Sequence, residues 1–188
     1  MRLLNVGSGG SKDVPEIYKG WNQDSLDIDP RVNPDIVCDA RELRTLRPSK
    51  YDGVICFQNL EHFHRHEVPV VLKGFLHVLK PSGFAHIAVP DMSAVFEALA
   101  SGRDINEIWY NSPGGPISFH DVIYGWGKMI SQGNLYYCHK TGFLENSLAK
   151  TLSEAGFVKV MTASDGMNLL AFAFKSQPSG ALLRKLEL

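Results

Sequence analysis

The sequence has few cysteines, almost no net charge and no long hydrophobic run. Its three cysteines show no spacing that is typical of a disulfide framework, so a disulfide-rich secreted domain is excluded. The formal net charge of -1 provides no overall field that would favour nucleic acid or an anionic membrane. No apolar segment is long enough for a signal peptide or a membrane span, and we therefore expect a cytoplasmic protein.

The length and composition favour one globular domain. The chain has 188 residues, of which 44% are hydrophobic and 21% are charged, so it can bury a sizeable core. No internal repeat or low-complexity segment divides it. We expect a single domain over residues 1–176, followed by a C-terminal tail over residues 177–188 that is polar at first and then weakly amphipathic.

The first ten residues contain the most informative local pattern. The short apolar run Leu3–Val6 is followed at once by Gly7, Gly9 and Gly10. A buried run that ends in glycines predicts a strand followed by a tight turn, where the backbone can adopt positive φ and a ligand can approach closely. In open α/β sheets, nucleotide-like ligands bind beyond the carboxyl end of the first strand.

The next eighty residues alternate between strands and helices. Apolar spacing of the i, i+3, i+4, i+7 type predicts a helix over residues 67–79. Pro15 limits any helix after the glycines to a turn or two. A strand, helix, strand order favours parallel pairing with right-handed crossovers. Strands are predicted over residues 25–28, 35–38, 54–57 and 84–89, a short helix over 41–46, and a turn over 80–83.

The pattern changes over residues 91–142, which we interpret as an insertion. A helix is predicted over 93–100, and the Pro113–Pro116 run then breaks the chain. This segment is rich in Trp, Tyr and Phe, which could form a secondary core, a dimer contact or an acceptor pocket. A helix ending at Gly156 and an antiparallel pair of strands, over 157–161 and 169–174, complete the predicted sheet.

Four sequence blocks in order resemble the motifs of class I S-adenosylmethionine-dependent methyltransferases. The resemblance covers residues 3–89 and returns over 142–174. It implies a Rossmann-like α/β fold with a seven-stranded, mostly parallel sheet, an antiparallel last hairpin and helices on both faces. The blocks are Leu4–Gly10, Leu26–Pro30, Ile36–Ala40, and Tyr51–His62 together with Leu79–Gly83.

The resemblance also implies S-adenosylmethionine as cofactor, with S-adenosylhomocysteine as product. Backbone at the glycines would contact the methionine part, and the Asp27 carboxylate would accept hydrogen bonds from the ribose hydroxyls. Asp39 would accept from the adenine amino group. Cofactor-binding roles are implied in this way for Asn5, Gly7, Gly9, Asp27, Ile28, Asp39, Ala40 and Asn59.

Two features depart from the pattern of the family. Asn5 stands where the first motif usually has a carboxylate, so this position adds no negative charge near the sulfonium. The helix after the glycine loop is shortened by Pro15, and no helix precedes the first strand. The cofactor site could therefore be more open than usual, or be covered by the insertion or by a second subunit, which keeps a homo-oligomer open.

Three histidines are candidates for catalysis. His62 follows the fourth strand, where the reacting centre lies in this fold, and its near-neutral pKa would suit a general base. His120 and His139 flank the aromatic segment and could bind or deprotonate an acceptor, or cap turns. The alternation of His62, His64 and His66 also invites a metal site, but surface histidines near a helix start are the interpretation we favour, and no metal is expected.

The expected function is methyl transfer to a small-molecule acceptor, at a hydroxyl or an amine, by in-line displacement. Nucleic acid is disfavoured as acceptor. The alternative is a non-catalytic module that binds a cofactor or a partner on the same fold. A dinucleotide-binding site would need Gly or Ala three residues after Gly9, where the chain has Lys12, and no Gly-x-Ser-x-Gly elbow supports a serine hydrolase.

Overall fold

A seven-stranded sheet runs through the centre of the computed structural model, which describes all 188 residues. The strands are β1 (Arg2–Val6), β2 (Asn22–Asp27), β3 (Ile36–Val37), β4 (Tyr51–Phe57), β5 (Leu79–Pro90), β6 (Ile108–Ser112), β7 (Gly115–Ser118), β8 (Lys159–Ser164) and β9 (Asn168–Phe174). Their order across the main sheet is β3-β2-β1-β4-β5-β9-β8, and β6 and β7 form a separate hairpin.

Six α-helices and five short segments of 3-10 helix accompany these strands. The α-helices are α1 (Val68–Val78), α2 (Met92–Ala100), α3 (Phe119–Tyr124), α4 (Gly127–Ile130), α5 (Glu145–Ala155) and α6 (Gly180–Lys185). The 3-10 segments are Glu16–Tyr18, Pro30–Val32, Ala40–Thr45, Leu60–His62 and Leu135–Tyr137. None of the helices has the length and apolar character that crossing a bilayer needs.

The pairing of the strands confirms the predicted topology. β1 pairs in parallel with β2 and β4, β2 with β3, and β4 with β5. β9 is antiparallel to both of its neighbours, β5 and β8, because β8 and β9 follow one another without a helix between them. The main sheet is therefore mostly parallel and ends in an antiparallel hairpin.

Each face of the sheet has its own hydrophobic core, because successive residues of a strand point to opposite faces. Leu4 and Val54 belong to a core of 26 buried residues that α1 and α5 cover. Their neighbours Leu3 and Ile55 belong to a smaller core of six buried residues on the other face. The helices thus lie on both faces, as predicted, but they cover the two faces unequally.

The smaller core is covered by a single 3-10 turn and by the C-terminal tail. Tyr18, in the turn after the glycine loop, is buried against this face, and Leu186 of the tail is also buried there. Pro15 limits the segment after β1 to that one turn, as the sequence predicts. The tail beyond residue 177 therefore forms α6 and supplies the cover that a longer helix after β1 would give.

Three predicted elements differ from those in the structure. The predicted turn over 80–83 lies within β5, where the pairs Tyr51–Leu79 and Gly53–Phe84 show that the residues between bulge out of the ladder. The strand predicted over 35–38 pairs only at Ile36–Val37. The short helix after it has 3-10 rather than α geometry.

The inserted segment builds a third, small core. Met92, Val95, Ile117, Phe119 and Val122 are buried together between α2, β7 and α3. The ring of Trp109 stacks on Phe119 with a centroid distance of 5.2 Å. Part of the aromatic segment is therefore a secondary core, which was one of the three predicted alternatives.

A polar cluster fastens the edge of the sheet opposite to the carboxyl ends of the parallel strands. The carboxylate of Asp24 accepts hydrogen bonds from Arg2 (2.8 Å) and Tyr51 (2.7 Å), and the ammonium of Lys50 lies 2.8 Å away. Burial alone would raise the pKa of Asp24, but these three donors outweigh it and hold the pKa well below its usual range.

We expect Asp24→Asn to lower the free energy of unfolding by about 1–3 kcal/mol at pH 7, because it removes the charged acceptor from this cluster. The contribution is fully present above the unfolded-state pKa of about 3.9 and declines as the pH falls from there toward the lowered folded-state pKa, so the difference from the wild type should be smaller at pH 3 than at pH 7. Urea unfolding at pH 7 and at pH 3 measures both effects. Asp13→Asn, at an exposed carboxylate without an ion pair, is the control; equal stability of all three proteins would contradict the assignment.

Candidate active site

A cavity of about 550 Å³ lies at the carboxyl edge of the parallel strands. The loops after β1, β2, β3 and β4 meet there, because the carboxyl ends of parallel strands share one edge of the sheet. Eight of the eleven predicted site residues line this cavity. They are Gly7, Gly9, Asp27, Ile28, Asp39, Ala40, Asn59 and His62.

The glycine loop after β1 forms the floor of the cavity. Gly7, Gly9 and Gly10 all have positive φ, between +55° and +78°. A Cβ at Gly7 would lie 2.2 Å from Nδ2 of Asn59, so the loop and the tip of β4 are in close contact. A Cβ at Gly9 would meet no atom within 4 Å. Gly9 therefore presents bare backbone to open space in the cavity.

Asp27 connects this loop to the one after β2. Its Oδ2 accepts a hydrogen bond of 2.8 Å from the backbone N–H of Gly9, and its Oδ1 accepts one of 3.0 Å from Asp29. Each carboxylate oxygen offers more than one acceptor position, so acceptor capacity remains on the side of the cavity.

The other carboxylates in the cavity wall are neutralised by arginine. Asp29 forms a bidentate ion pair with Arg31, and Arg41 pairs with both Asp39 and Glu67. Asp39 also caps the 3-10 segment after β3 by accepting from Arg41 N at 2.9 Å. Burial opposes ionisation of Asp39, but the Arg41 guanidinium and N–H outweigh it and lower its pKa. Asp27 is thus the one cavity carboxylate without a cationic partner.

The tip of β4 has an unusual backbone. Gln58 has a φ of +48°, which a residue with a side chain seldom adopts, and its Nε2 donates to Oδ1 of Asn168 at 2.8 Å. Both Gln58 and its neighbour Asn59 line the cavity. Backbone of this kind is enriched at functional sites.

The inserted segment supplies the opposite wall. Its lining residues are Met129, Gln132, Asn134, Tyr136, Tyr137 and Lys140. Tyr136 is half exposed, so this wall borders the mouth of the cavity. The aromatic residues of the insertion therefore divide between the small core described above and the cavity.

Three predicted residues do not line the cavity. Asn5 is buried under the glycine loop, where its Nδ2 donates to the carbonyl of Ser11 at 3.3 Å. His120 is exposed on α3, and its ring lies 4.8 Å from that of Tyr124. His139 lies behind the cavity wall, with its ring centroid 4.8 Å from that of His62.

His62 and His139 are both held by backbone carbonyls. Nδ1 of His62 donates to Cys138 O at 3.0 Å, and Nδ1 of His139 donates to Val122 O at 2.8 Å. Burial lowers the pKa of His62. Burial, together with the neighbouring His62, lowers the pKa of His139 to about 4. Both imidazoles are therefore neutral near pH 7, with Nε2 unprotonated.

Glu61 lies beside these two histidines and is almost completely buried, with 1% of its surface exposed. Neither carboxylate oxygen has a hydrogen-bond partner. Burial raises the pKa of Glu61 to about 8. His64 and His66 are exposed and stack on each other, with a centroid distance of 5.7 Å, so the alternating histidines do not converge.

Sequence reasoning missed several residues of this region. Glu61 lies within the Tyr51–His62 block, next to His62, and this position alone identifies it as a candidate site residue. Arg41 follows Asp39 at the spacing of a capping pair, which is also a local signal. Tyr137 and Lys140 carry no local signal, because the fold of the insertion brings them to the cavity.

The comparisons with known proteins agree with this geometry. A family model described as a methyltransferase domain matches residues 4–87. A search of curated protein sequences found no significant match.

Solved structures of low sequence identity share the fold. A 1,6-didemethyltoxoflavin-N1-methyltransferase from Burkholderia thailandensis, solved with 1,6-didemethyltoxoflavin and S-adenosylhomocysteine, is 17% identical with a TM-score of 0.57, over 94% of this chain and 71% of that one. A SAM-dependent methyltransferase from Archaeoglobus fulgidus is 16% identical with a TM-score of 0.58, over 93% and 86%. A Thermotoga maritima protein described as a possible histamine N-methyltransferase is 12% identical with a TM-score of 0.60, over 93% and 82%.

The match to the family model ends within β5, and the likeness of fold extends over nearly the whole chain. Taken together, these findings show that residues 4–87 are similar to a methyltransferase domain and that the chain has the fold of the S-adenosylmethionine-dependent methyltransferases named above.

Proposed function

We propose that this protein binds S-adenosylmethionine in the cavity beside the glycine loop and transfers its methyl group to a small molecule, at a hydroxyl or an amine. The observation that supports this most directly is the state of Asp27. It is the only carboxylate in the cavity wall without a cationic partner, so it can accept hydrogen bonds from the ribose hydroxyls without losing an ion pair.

The cavity residues fit the other parts of the cofactor. Bare backbone at Gly9 leaves room for the methionine part, and Ile28, which is partly exposed, offers an apolar surface for the adenine. Asp39 would share its carboxylate between Arg41 and the adenine amino group, with the N–H of Ala40 directed to a ring nitrogen. Asn5 acts indirectly in this proposal, by holding the loop through Ser11. When bound, S-adenosylmethionine supplies an activated methyl group.

The shape of the cavity favours a small acceptor. A volume of about 550 Å³ is in the range of small-molecule sites, and it must hold the cofactor as well. Tyr136, Tyr137 and Met129 of the insertion give the acceptor side an aromatic and apolar lining. The Burkholderia thailandensis relative was solved with a small heterocyclic compound and S-adenosylhomocysteine, which agrees with an acceptor of this size.

His62 is the proposed general base where the acceptor must lose a proton. It lines the cavity next to Asn59, and its Nδ1 is engaged by a carbonyl, so Nε2 is the nitrogen that can accept the proton. Much of the remaining rate enhancement would come from positioning the acceptor and excluding water, which needs no further catalytic side chain.

We expect Asp27→Ala to weaken the binding of S-adenosylhomocysteine by about 1–3 kcal/mol, which is roughly 5- to 150-fold in the dissociation constant. Asp27→Asn should weaken it less, because one acceptor oxygen remains. Calorimetric titration of the folded variants measures the effect. Asp24→Asn, on the same strand but at the opposite edge of the sheet, should bind as the wild type does; unchanged affinity in Asp27→Ala would remove Asp27 from the site.

Gly9→Ala and Gly20→Ala form a matched pair. Both glycines have positive φ, +55° and +79°, and open space where a Cβ would go, so each change should destabilise the fold by about 1–2 kcal/mol. Only Gly9 lines the cavity. We therefore expect Gly9→Ala alone to weaken S-adenosylhomocysteine binding, by about tenfold or more. Equal affinities in the two variants would show that the loop does not contact the cofactor.

Incubation with isotope-labelled S-adenosylmethionine and a panel of small hydroxyl and amine compounds tests the reaction itself. With an acceptor found, His62→Ala should lower turnover by about 100-fold or more and leave S-adenosylhomocysteine affinity nearly unchanged. His64→Ala, at an exposed histidine two residues away, is the control. Cofactor binding without transfer to any compound would favour the non-catalytic alternative, and an undiminished rate in His62→Ala would exclude His62 as the base.

A further inference from the structure

The buried carboxyl group of Glu61 has no hydrogen-bond partner within the chain. Both oxygens are shielded from solvent, and neither accepts a hydrogen bond. A buried carboxylate is costly unless it is paired, hydrogen-bonded or coordinated to a metal. His62 and His139 lie close to Glu61, but each already donates Nδ1–H to a backbone carbonyl, so neither neutral ring has an N–H left for the Glu61 carboxyl group.

The two histidines are arranged as metal ligands usually are. His62 and His139 each donate Nδ1–H to a backbone carbonyl, Cys138 O and Val122 O, and this fixes the tautomer with the Nε2 lone pair free. Histidines that bind metal through one nitrogen nearly always donate the other to a carbonyl or carboxylate in this way.

The three side chains converge. One donor atom from each of Glu61, His62 and His139 lies within 4.8 Å of the others. Ligands bound tetrahedrally at about 2.1 Å lie roughly 3.4 Å apart, so side-chain rotations that shorten each separation by roughly 1.4 Å at most would close the site.

Backbone contacts hold the two parts of the site together. The carbonyl of Glu61 accepts hydrogen bonds from the N–H groups of Lys140 (2.8 Å) and Thr141 (3.2 Å). The segment with His139 is thereby fastened to the tip of β4. His62 and Cys138, which are hydrogen-bonded there, are 76 residues apart in the sequence. The convergence is therefore built into the fold and is not a chance contact of mobile surface groups.

We propose that Glu61, His62 and His139 bind a divalent transition-metal ion of the zinc type. Two imidazoles and one carboxylate form a donor set that Zn²⁺ and related ions accept, whereas Mg²⁺ and Ca²⁺ prefer oxygen ligands alone. Three protein ligands leave at least one coordination position open. Because His62 also lines the cavity, the ion would lie at the wall of the active site.

This site bears on the role of His62. Nε2 cannot bind a metal and accept a proton at the same time, so in the metal-bound protein His62 is a ligand and not the base. The ion would instead lower the pKa of a hydroxyl oxygen bound at the open position, which is the chemistry that a bound divalent metal supplies. The metal proposal itself depends only on the three ligands, and it can be tested without any methyl-transfer assay.

The test is titration of the chelator-treated full chain with Zn²⁺ by calorimetry, and with Co²⁺ by its visible absorption. We expect one equivalent to bind and to raise the melting temperature of the wild type. Glu61→Gln, which keeps the volume of the side chain, and His139→Ala should each weaken binding at least as much as the loss of an outer hydrogen-bond partner does, which is about 10- to 100-fold.

The double variant His64→Ala/His66→Ala controls for the other histidine pair, because these two exposed rings stack on each other outside the site. It should retain the full equivalent. The absence of binding in the wild type would overturn the proposal. Zn²⁺ affinity equal to that of the wild type in both Glu61→Gln and His139→Ala would also overturn it, and so would a loss of binding in the double variant alone. Should His139→Ala fail to fold, Glu61→Gln decides, since it removes a ligand without opening a cavity.

Discussion

The hydrogen bonds that Asp27 accepts from Gly9 and Asp29 hold the cavity in shape. They join the loop after β1 to the loop after β2, and they place a carboxylate without a cationic partner beside bare glycine backbone. The other acids of the wall have arginine partners, so the negative charge that is available to a ligand is concentrated at Asp27. One side chain thus shapes the floor of the site and sets its electrostatic character.

Local sequence patterns predicted much of the fold because they report local physics. The apolar spacing over α1 and the run before Gly7 depend on which face of an element is buried, and both predictions are confirmed. The tail over 177–188 gave no clear signal, because α6 is short and its place depends on the small core around Tyr18. Pro15 predicts that no long helix follows the glycine loop. Only the fold shows that α6 covers the face of the sheet that such a helix would cover.

The candidate site also contains residues that the sequence predicts and residues that only the fold brings together. Residues that end strands, such as Asp27 and Asn59, could be predicted, because the sheet brings strand ends to one edge. Glu61 could be read as part of a motif, but its burial and its lack of partners arise from contacts with residues 138–141, which come from the insertion. No pattern in a single sequence predicts how an insertion folds back onto the sheet. The proximity of His62 to His139 could therefore not be predicted from the sequence.

The glycine loop has a consequence for the kinds of nucleotide that this cavity can hold. The backbone amides from Gly7 to Ser11 already donate to Leu26, Asp27 and Ser8. Loops that grip a diphosphate need such amides free and turned toward the anion. With its donors used internally and a carboxylate at its centre, this loop offers no free amide to a pyrophosphate, which agrees with the proposed binding of a nucleoside whose far end is cationic.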